Sequence, residues 1–203
     1  MPATKPTPRP RDSERRSARE RLLAAAGELF YEEGIQTVGI DRVIERAGVA
    51  KASLYDVFGS KEELIRSYIE ALQEARVARF EQGLARFKSP RERLLGVFDV
   101  LGELVRQPRF RGCAFMRASA ELRPESSVRG AIEASRGWMR GLLAGLAKEA
   151  GAAQPERLAR QLQILYDGAV LSAQLDGDSH APAAARAAAA RMVDDAIAAR
   201  AGR

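Results

Sequence analysis

Hydrophobic residues between residues 19 and 58 recur at helical spacing and predict three short helices. Residues three and four apart on a helix lie on the same face, so such spacing marks a buried stripe. The stripes are Leu22, Ala26, Leu29 and Phe30 in a helix over 19–33, Ile40, Val43, Ile44 and Ala47 in a helix over 40–47, and Leu54 and Phe58 in a helix over about 50–58. Each stripe predicts a helix packed against a common core.

The third of these helices has a second, polar face. Lys51, Ala52, Tyr55 and Asp56 lie opposite Leu54, because residues four apart are neighbours on a helix. Gly48 suits the left-handed position that ends the preceding helix. Two short helices joined by a turn containing Gly form a helix-turn-helix unit, whose second helix enters the DNA major groove. An ordinary helical hairpin has the same pattern, so the spacing alone leaves both interpretations open.

The rest of the chain also predicts helices and no strands. Leu64, Ile65, Tyr68, Phe80 and Leu84 mark a long helix from Ser60 to about residue 87. Pro and Gly residues separate later segments, and no segment alternates with period two. The later helices are expected at roughly 90–106, 112–122, 126–150, 155–175 and 183–200. The predicted fold is all-α, with an N-terminal three-helix DNA-binding domain followed by a C-terminal helical bundle.

Composition places the protein in the cytoplasm but says little about DNA. The chain has one Cys, no apolar leader and no apolar run long enough to span a bilayer, so we expect a cytoplasmic protein without a membrane partner. The net charge is +6, but residues 22–65 carry four Lys/Arg against eight Asp/Glu. Residues 1–16 are basic and rich in Pro, which predicts a disordered tail; Arg9, Arg11, Arg15 or Arg16 could enter a minor groove.

Signs of catalysis are weak throughout the sequence. The single residue His180 excludes a multi-His metal centre, and it lies in an Asp178-Ser179-His180 segment that reads as a polar turn. No phosphate-binding glycine motif is present. We therefore expect no catalytic residues, no metal and no cofactor.

Residues 39–64 resemble the DNA-binding segment of the TetR/AcrR family of transcriptional regulators. The resemblance rests on Ala47-Gly48-Val49, on Leu54-Tyr55 with Phe58, and on Gly59 through Leu64. Residues 19–30 with Gly34 also match the family's first helix. Ala50 stands where the family most often has Ser or Thr, so the recognition helix is expected to lack a side-chain cap.

This resemblance implies a domain order and a set of DNA contacts. The domains are a tail over 1–16, a helix-turn-helix domain over 17–76 with its motif at about 39–58, and an effector-binding and dimerisation domain over 77–203. The partner is a palindromic double-stranded operator, which the protein binds as a homodimeric repressor. The expected DNA-binding residues are Thr37, Gly39, Lys51, Ala52, Ser53, Tyr55, Asp56 and Lys61. Tyr55 and Lys61 are expected to contact phosphates.

The resemblance also implies an unknown small-molecule effector and a dimer interface. Candidate pocket residues are Phe98, Leu101, Phe110, Cys113, Trp138, Met139, Tyr166 and Gln174. The dimer helices, 155–175 and 183–200, offer Leu158, Leu162, Leu165, Ala169, Leu171, Ala188, Met192 and Ala196. Two alternatives stay open: a helical small-molecule-binding protein or enzyme without sequence-specific DNA binding, and an interaction module that uses the basic tail.

Overall fold

The computed structural model describes residues 17–123 and 125–201, and every regular element in those residues is an α-helix. The helices are α1 (Ala18–Glu33), α2 (Ile40–Ala47), α3 (Lys51–Phe58), α4 (Lys61–Leu84), α5 (Pro90–Val105), α6 (Ala114–Glu121), α7 (Arg129–Glu149), α8 (Pro155–Leu175) and α9 (Ala181–Ala201). The all-α prediction is confirmed. The predicted tail, with Arg9, Arg11, Arg15 and Arg16, lies outside the described residues.

The chain divides into two compact units, and the division falls between Tyr68 and Ile69 inside α4. In the first unit, α1, α2, α3 and the start of α4 enclose an apolar core. The rings of Phe30 and Tyr68 meet edge to face there, with centroids 5.5 Å apart. The buried side chains of this core are Leu22, Leu29, Phe30, Ile35, Val38, Val43, Leu54, Phe58, Leu64, Ile65 and Tyr68. All three stripes found in the sequence contribute to this core, although Ile40 and Ile44 of the second stripe are only half-buried.

The second unit packs the remainder of α4 with α5 to α9. Its core draws on α4, α5, α7, α8 and α9, and its largest fully buried side chains include Phe98, Leu101, Met139, Leu143 and Leu162. Pro90 and Pro155 occupy first-turn positions, as expected for a residue without an N–H. No helix in the described part of the chain is long and apolar enough to cross a membrane.

Several predicted helix ends are wrong by a few residues. The long helix α4 ends at Leu84 rather than near residue 87, because Ser89 caps the start of α5 and the chain must turn before it. The Phe87 ring still packs inward, directly over Gly96. Helix α6 begins at Ala114 because Gly112 has a φ of 91°, which no α-helix contains.

Three of the residues predicted to lie at the dimer interface are buried within the subunit instead. Leu158, Leu162 and Ala169 belong to the core of the second unit. They cannot serve an intermolecular surface, because they are already buried within the subunit. The exposed apolar side chains of α8 are Ile164, Leu171 and Leu175, with exposed fractions of 70%, 44% and 70%.

Candidate nucleic-acid interface

Helix α3 presents one apolar face to the first unit and one polar face to solvent. Leu54 and Phe58 are buried, while Tyr55 is 46% exposed. Lys51, Ala52 and Asp56 are exposed on the same side, and Ser53 is half-buried beside them. The predicted division of this helix into two faces is confirmed. An exposed, mixed polar and aromatic helix face is suited to hydrogen bonding with base edges.

The turn between α2 and α3 is built on a left-handed glycine. Gly48 has φ 62° and ψ 44°, and its N–H donates to the Glu45 carbonyl at 3.2 Å. The Arg21 guanidinium on α1 donates to the Gly48 carbonyl at 3.1 Å. This link explains how α1 holds the turn that sets the angle between α2 and α3. The sequence predicted the left-handed conformation of Gly48 but not its hydrogen bond with Arg21.

Two ion pairs fasten α2 to α1. Arg42 donates to both carboxylate oxygens of Glu33, at 2.5 and 2.8 Å, and Arg46 donates to Glu28 at 2.7 Å. The hydrogen bond from Arg42 holds the pKa of Glu33 below its usual value. These two arginines are therefore engaged with carboxylates. Sequence reasoning missed both pairs, because their partners lie nine and eighteen residues away and only the packing of α1 on α2 joins them.

Lys51, one of the predicted DNA-binding residues, is paired with Asp41. The two groups lie 2.8 Å apart, and their side chains are 60% and 81% exposed. The hydrogen bond to Asp41 raises the pKa of the Lys51 ammonium. Asp41 lies in the first turn of α2. Because both groups are exposed, water competes for them and the pair can open when another anion arrives.

Lys61 lies close to the segment that precedes α2. Its ammonium donates to the carbonyl of Gln36 at 3.3 Å, beside the exposed residue Thr37. Gly39 and Ala50 occupy the N-cap positions of α2 and α3, and neither has a side-chain cap. The expected lack of a side-chain cap at Ala50 is thus confirmed. The structure brings Lys61 and the Thr37 segment together at one place on the first unit.

The predicted effector residues lie mostly in the core of the second unit. Phe98, Leu101, Met139 and Tyr166 are buried, whereas Phe110, Cys113 and Trp138 are half-buried against them. The desolvation of Tyr166 raises its pKa to about 12, so its hydroxyl is neutral at physiological pH. That these residues line an effector pocket stays a prediction.

Gln174 differs from the other candidates because it is exposed. Its amide lies over Gly112, where an added Cβ would come within 1.9 Å of the Gln174 Oε1 atom. It therefore covers the start of α6 instead of facing the buried residues. No group of three or more His, Cys, Asp and Glu side chains that could hold a metal occurs in the part of the chain the structure describes.

Comparison with known proteins agrees with this arrangement. The sequence model of bacterial regulatory proteins of the tetR family matches residues 22–68, which cover most of α1, all of α2 and α3, and the start of α4. A putative TetR transcriptional regulator from Streptomyces avermitilis superposes with a TM-score of 0.80 at 31% identity, over 89% of this chain and 98% of that one. Its likeness thus extends beyond the N-terminal helices into the second unit.

Two curated relatives match over a shorter stretch. The transcriptional activator FasR of Mycolicibacterium smegmatis is 34% identical over 96 residues, which are 47% of this chain and 42% of FasR. The transcriptional repressor KstR2 of the same organism is 30% identical over 82 residues, 40% of each chain. The likeness to each therefore spans about two fifths of the relative's length. From the N-terminal match and the whole-chain superposition, the protein belongs to the TetR family of transcriptional regulators.

Proposed function

We propose that this regulator is a cytoplasmic, homodimeric repressor that binds a palindromic operator and is released by a small-molecule effector bound in its second unit. The observation that carries the proposal is the two-faced helix α3, which lies within the family match and exposes Lys51, Ala52, Tyr55 and Asp56. A dimer seated on an operator blocks transcription without any further interaction surface. Repression therefore needs the fewest additional features, and the relative KstR2 is named a repressor.

Lys51 supplies the main base contact in this proposal. On DNA its ammonium leaves Asp41 and donates to the acceptor atoms of a guanine in the major groove, the commonest specific contact of a basic side chain. Ala52 and Ser53 face the bases beside it, and Asp56 accepts from a cytosine amino group. A carboxylate at this position is repelled by phosphates unless it finds such a donor.

Phosphate contacts fix the register of α3 in the groove. The exposed Tyr55 hydroxyl donates to one phosphate, and Lys61 neutralises another beside Thr37. The backbone at Gly39 approaches the DNA closely, because no side chain stands at that position and no atom lies within 4 Å of where a Cβ would be. These contacts carry no sequence information, but they make binding sensitive to salt.

A second copy of the chain covers the exposed apolar face of α8. Ile164, Leu171 and Leu175 lie at helical spacing, with Gly168 between them, and the two most exposed of them are 70% accessible. Contiguous exposed apolar side chains of this size are unfavourable in water and mark an interaction site. Two-fold pairing through this face gives two recognition helices, which read half-sites about 34–36 Å apart.

The decisive experiment is selection of random duplex DNA with the purified protein at stated salt. The expected result is a palindromic consensus with two half-sites one helical turn apart. Recovery of no consensus, with only weak salt-sensitive binding, would contradict the proposal and favour a helical small-molecule-binding protein without an operator. The consensus also supplies the probe for effector screening.

The Lys51 contact is tested on that consensus. Lys51→Ala should weaken binding. Replacing the contacted guanine should then reduce the affinity of the variant much less than that of the wild type, with the two reductions differing by a factor of about ten or more. Lys88→Ala is the matched control, since it removes one exposed ammonium from the second unit. Equal losses on every sequence would make Lys51 a phosphate contact instead of a base contact.

A further inference from the structure

Arg76 lies inside an aromatic cluster of the second unit, which we call the Arg76 cluster. Its guanidinium carbon stands 5.2 Å from the ring centre of Phe115 and 5.8 Å from that of Trp138. Phe80 packs against the Trp138 ring at 5.8 Å and against Tyr166 at 6.4 Å. A planar cation is thus surrounded by aromatic surface, with contributions from α4, α6, α7 and α8.

The hydrogen bonds of Arg76 all go to neutral groups. Its Nη1 donates to the hydroxyl of Ser135 at 3.0 Å, and that buried hydroxyl donates to Gln73 Oε1 at 2.7 Å. Arg76 also acts electrostatically on the hydroxyl of Tyr166, whose phenol stays neutral because desolvation raises its pKa to about 12. Within the described residues Arg76 has no carboxylate partner.

Several other arginines of the same unit do have carboxylate partners. Arg91 pairs with Asp194 at 2.6 Å, and Arg136 pairs with Asp167 at 2.9 Å. Asp167 follows Tyr166 directly in the chain, but it forms its ion pair with Arg136 and not with Arg76. The half-buried Arg76 is therefore a cation that has lost much of its water without gaining an anion. Such a charge is unfavourable unless an anion joins it.

We propose that the effector is a small aromatic carboxylic acid in its ionised form, whose carboxylate pairs with Arg76 and whose ring packs among Phe115, Trp138 and Phe80. Guanidinium and carboxylate groups match in geometry and form two parallel hydrogen bonds. The surrounding rings fit a flat apolar body. This inference rests on the proposed function, because it names the ligand class of the effector site.

The same contact offers a way to signal along α4. Arg76 and Gln73 are both on α4, and the first turns of that helix, Lys61–Tyr68, belong to the first unit. Ser135 is on α7, so the bonds among these three side chains connect α4 with α7. A bound carboxylate competes with Ser135 for the guanidinium and changes this connection. The effector can then favour one position of α4 over another, which allosteric release requires.

Fluorescence of Trp138 tests the proposal directly, because it is the only Trp of the chain. Full-length protein is titrated with benzoate, phenylacetate, phenylpropionate and phenylbutyrate, each beside its neutral primary amide. We expect at least one acid to give a saturable change and to bind roughly tenfold or more tightly than its amide. Equal affinity for acid and amide, or no binding by any of the four acids, would overturn the inference without any variant.

Substitution of Arg76 then assigns the preference to its charge. Arg76→Met should bring the affinity ratio of acid to amide close to one, whereas Arg79→Met should leave it unchanged. Arg79 lies three residues further along α4 and also loses one charge. If Arg76→Met does not fold, Arg76→Lys serves instead and should keep a reduced preference for the acid. A preference that survives intact in Arg76→Met refutes the role of this residue.

Operator release separates this inference from the proposed function. If the protein binds a palindromic operator but only neutral compounds release it, the acid effector is wrong and the repressor stands. If no operator is found, the repressor fails, while the fluorescence comparison still measures the acid preference of the Arg76 cluster.

Discussion

Gly48 and Gly27 should respond in opposite directions to the same substitution. Both lie in the first unit, and neither has an atom closer than 3.9 Å to the position of an added Cβ. Steric clash is therefore absent at both sites. The difference lies in the backbone, because Gly48 has a φ of 62° and Gly27 sits inside α1. The difference between the two alanine substitutions thus reports mainly on backbone conformation.

At Gly48 the substitution should lower the free energy of unfolding. An L-residue in the left-handed region costs roughly 1–2 kcal/mol. Alanine also reduces the entropy of the unfolded chain, which returns roughly 0.4–1 kcal/mol. The net loss is then about 1 kcal/mol. The backbone cannot relax without losing the bonds from Gly48 N–H to Glu45 and from Arg21 to the Gly48 carbonyl. Gly48→Asn should lose less, because Asn tolerates the left-handed region better.

At Gly27 the substitution should raise the free energy of unfolding by about 0.5–1 kcal/mol, because alanine is favoured over glycine inside a helix. The new methyl group also makes ordinary contact with the Tyr68 ring, 3.9 Å away. Urea unfolding followed by circular dichroism gives the global change, and hydrogen exchange in residues 40–58 gives the local opening of α2 and α3. A stabilising or neutral Gly48→Ala would refute the reasoning from φ.

The remaining predictions concern the dimer, the core and the buried tyrosine. Ile164→Lys with Leu175→Lys should dissociate the dimer in sedimentation, while Gln82→Lys, at another exposed position, should not. Leu54→Ala should lower the free energy of unfolding by about 2–5 kcal/mol and abolish operator binding, because Leu54 is fully buried on the inner face of α3; a well-folded variant with normal binding contradicts this. Stability should fall as pH rises from about 10 to about 12, because the unfolded chain ionises Tyr166 while the folded chain keeps it protonated; Tyr166→Phe should reduce that fall, and an unchanged profile contradicts the assignment.

Local patterns in the sequence were sufficient for the helices and for the two faces of α3. Leu54 and Phe58 are buried and Tyr55 is exposed as their spacing requires, because helix periodicity is a property of neighbouring residues. The left-handed Gly48 follows from the same local chemistry. The family resemblance, which rests on these residues, added the class of regulator.

Only the tertiary structure decided which charged groups meet. Asp41 forms an ion pair with Lys51, and Arg42 and Arg46 form ion pairs with carboxylates on α1. The two members of each pair lie on different helices, so no periodicity within one helix reveals the pair. The sequence did contain one indication of the pair between Asp41 and Lys51. The acid lies in the first turn of α2 and the base in the first turn of α3, and these two helices are neighbours.

The same limit applied to the second unit. The sequence listed its large apolar residues but could not separate core from surface on α8, where Leu162 is buried and Ile164 is exposed. It also passed over Arg76, because a lone arginine on a long helix looks like an ordinary solvated charge. Four helices must pack before Phe115, Trp138 and Tyr166 surround that guanidinium. The sequence by itself thus determined the helices and the family, whereas the packing of distant segments decided which charged side chains pair and placed Arg76 among aromatic rings and a neutral hydrogen-bond partner.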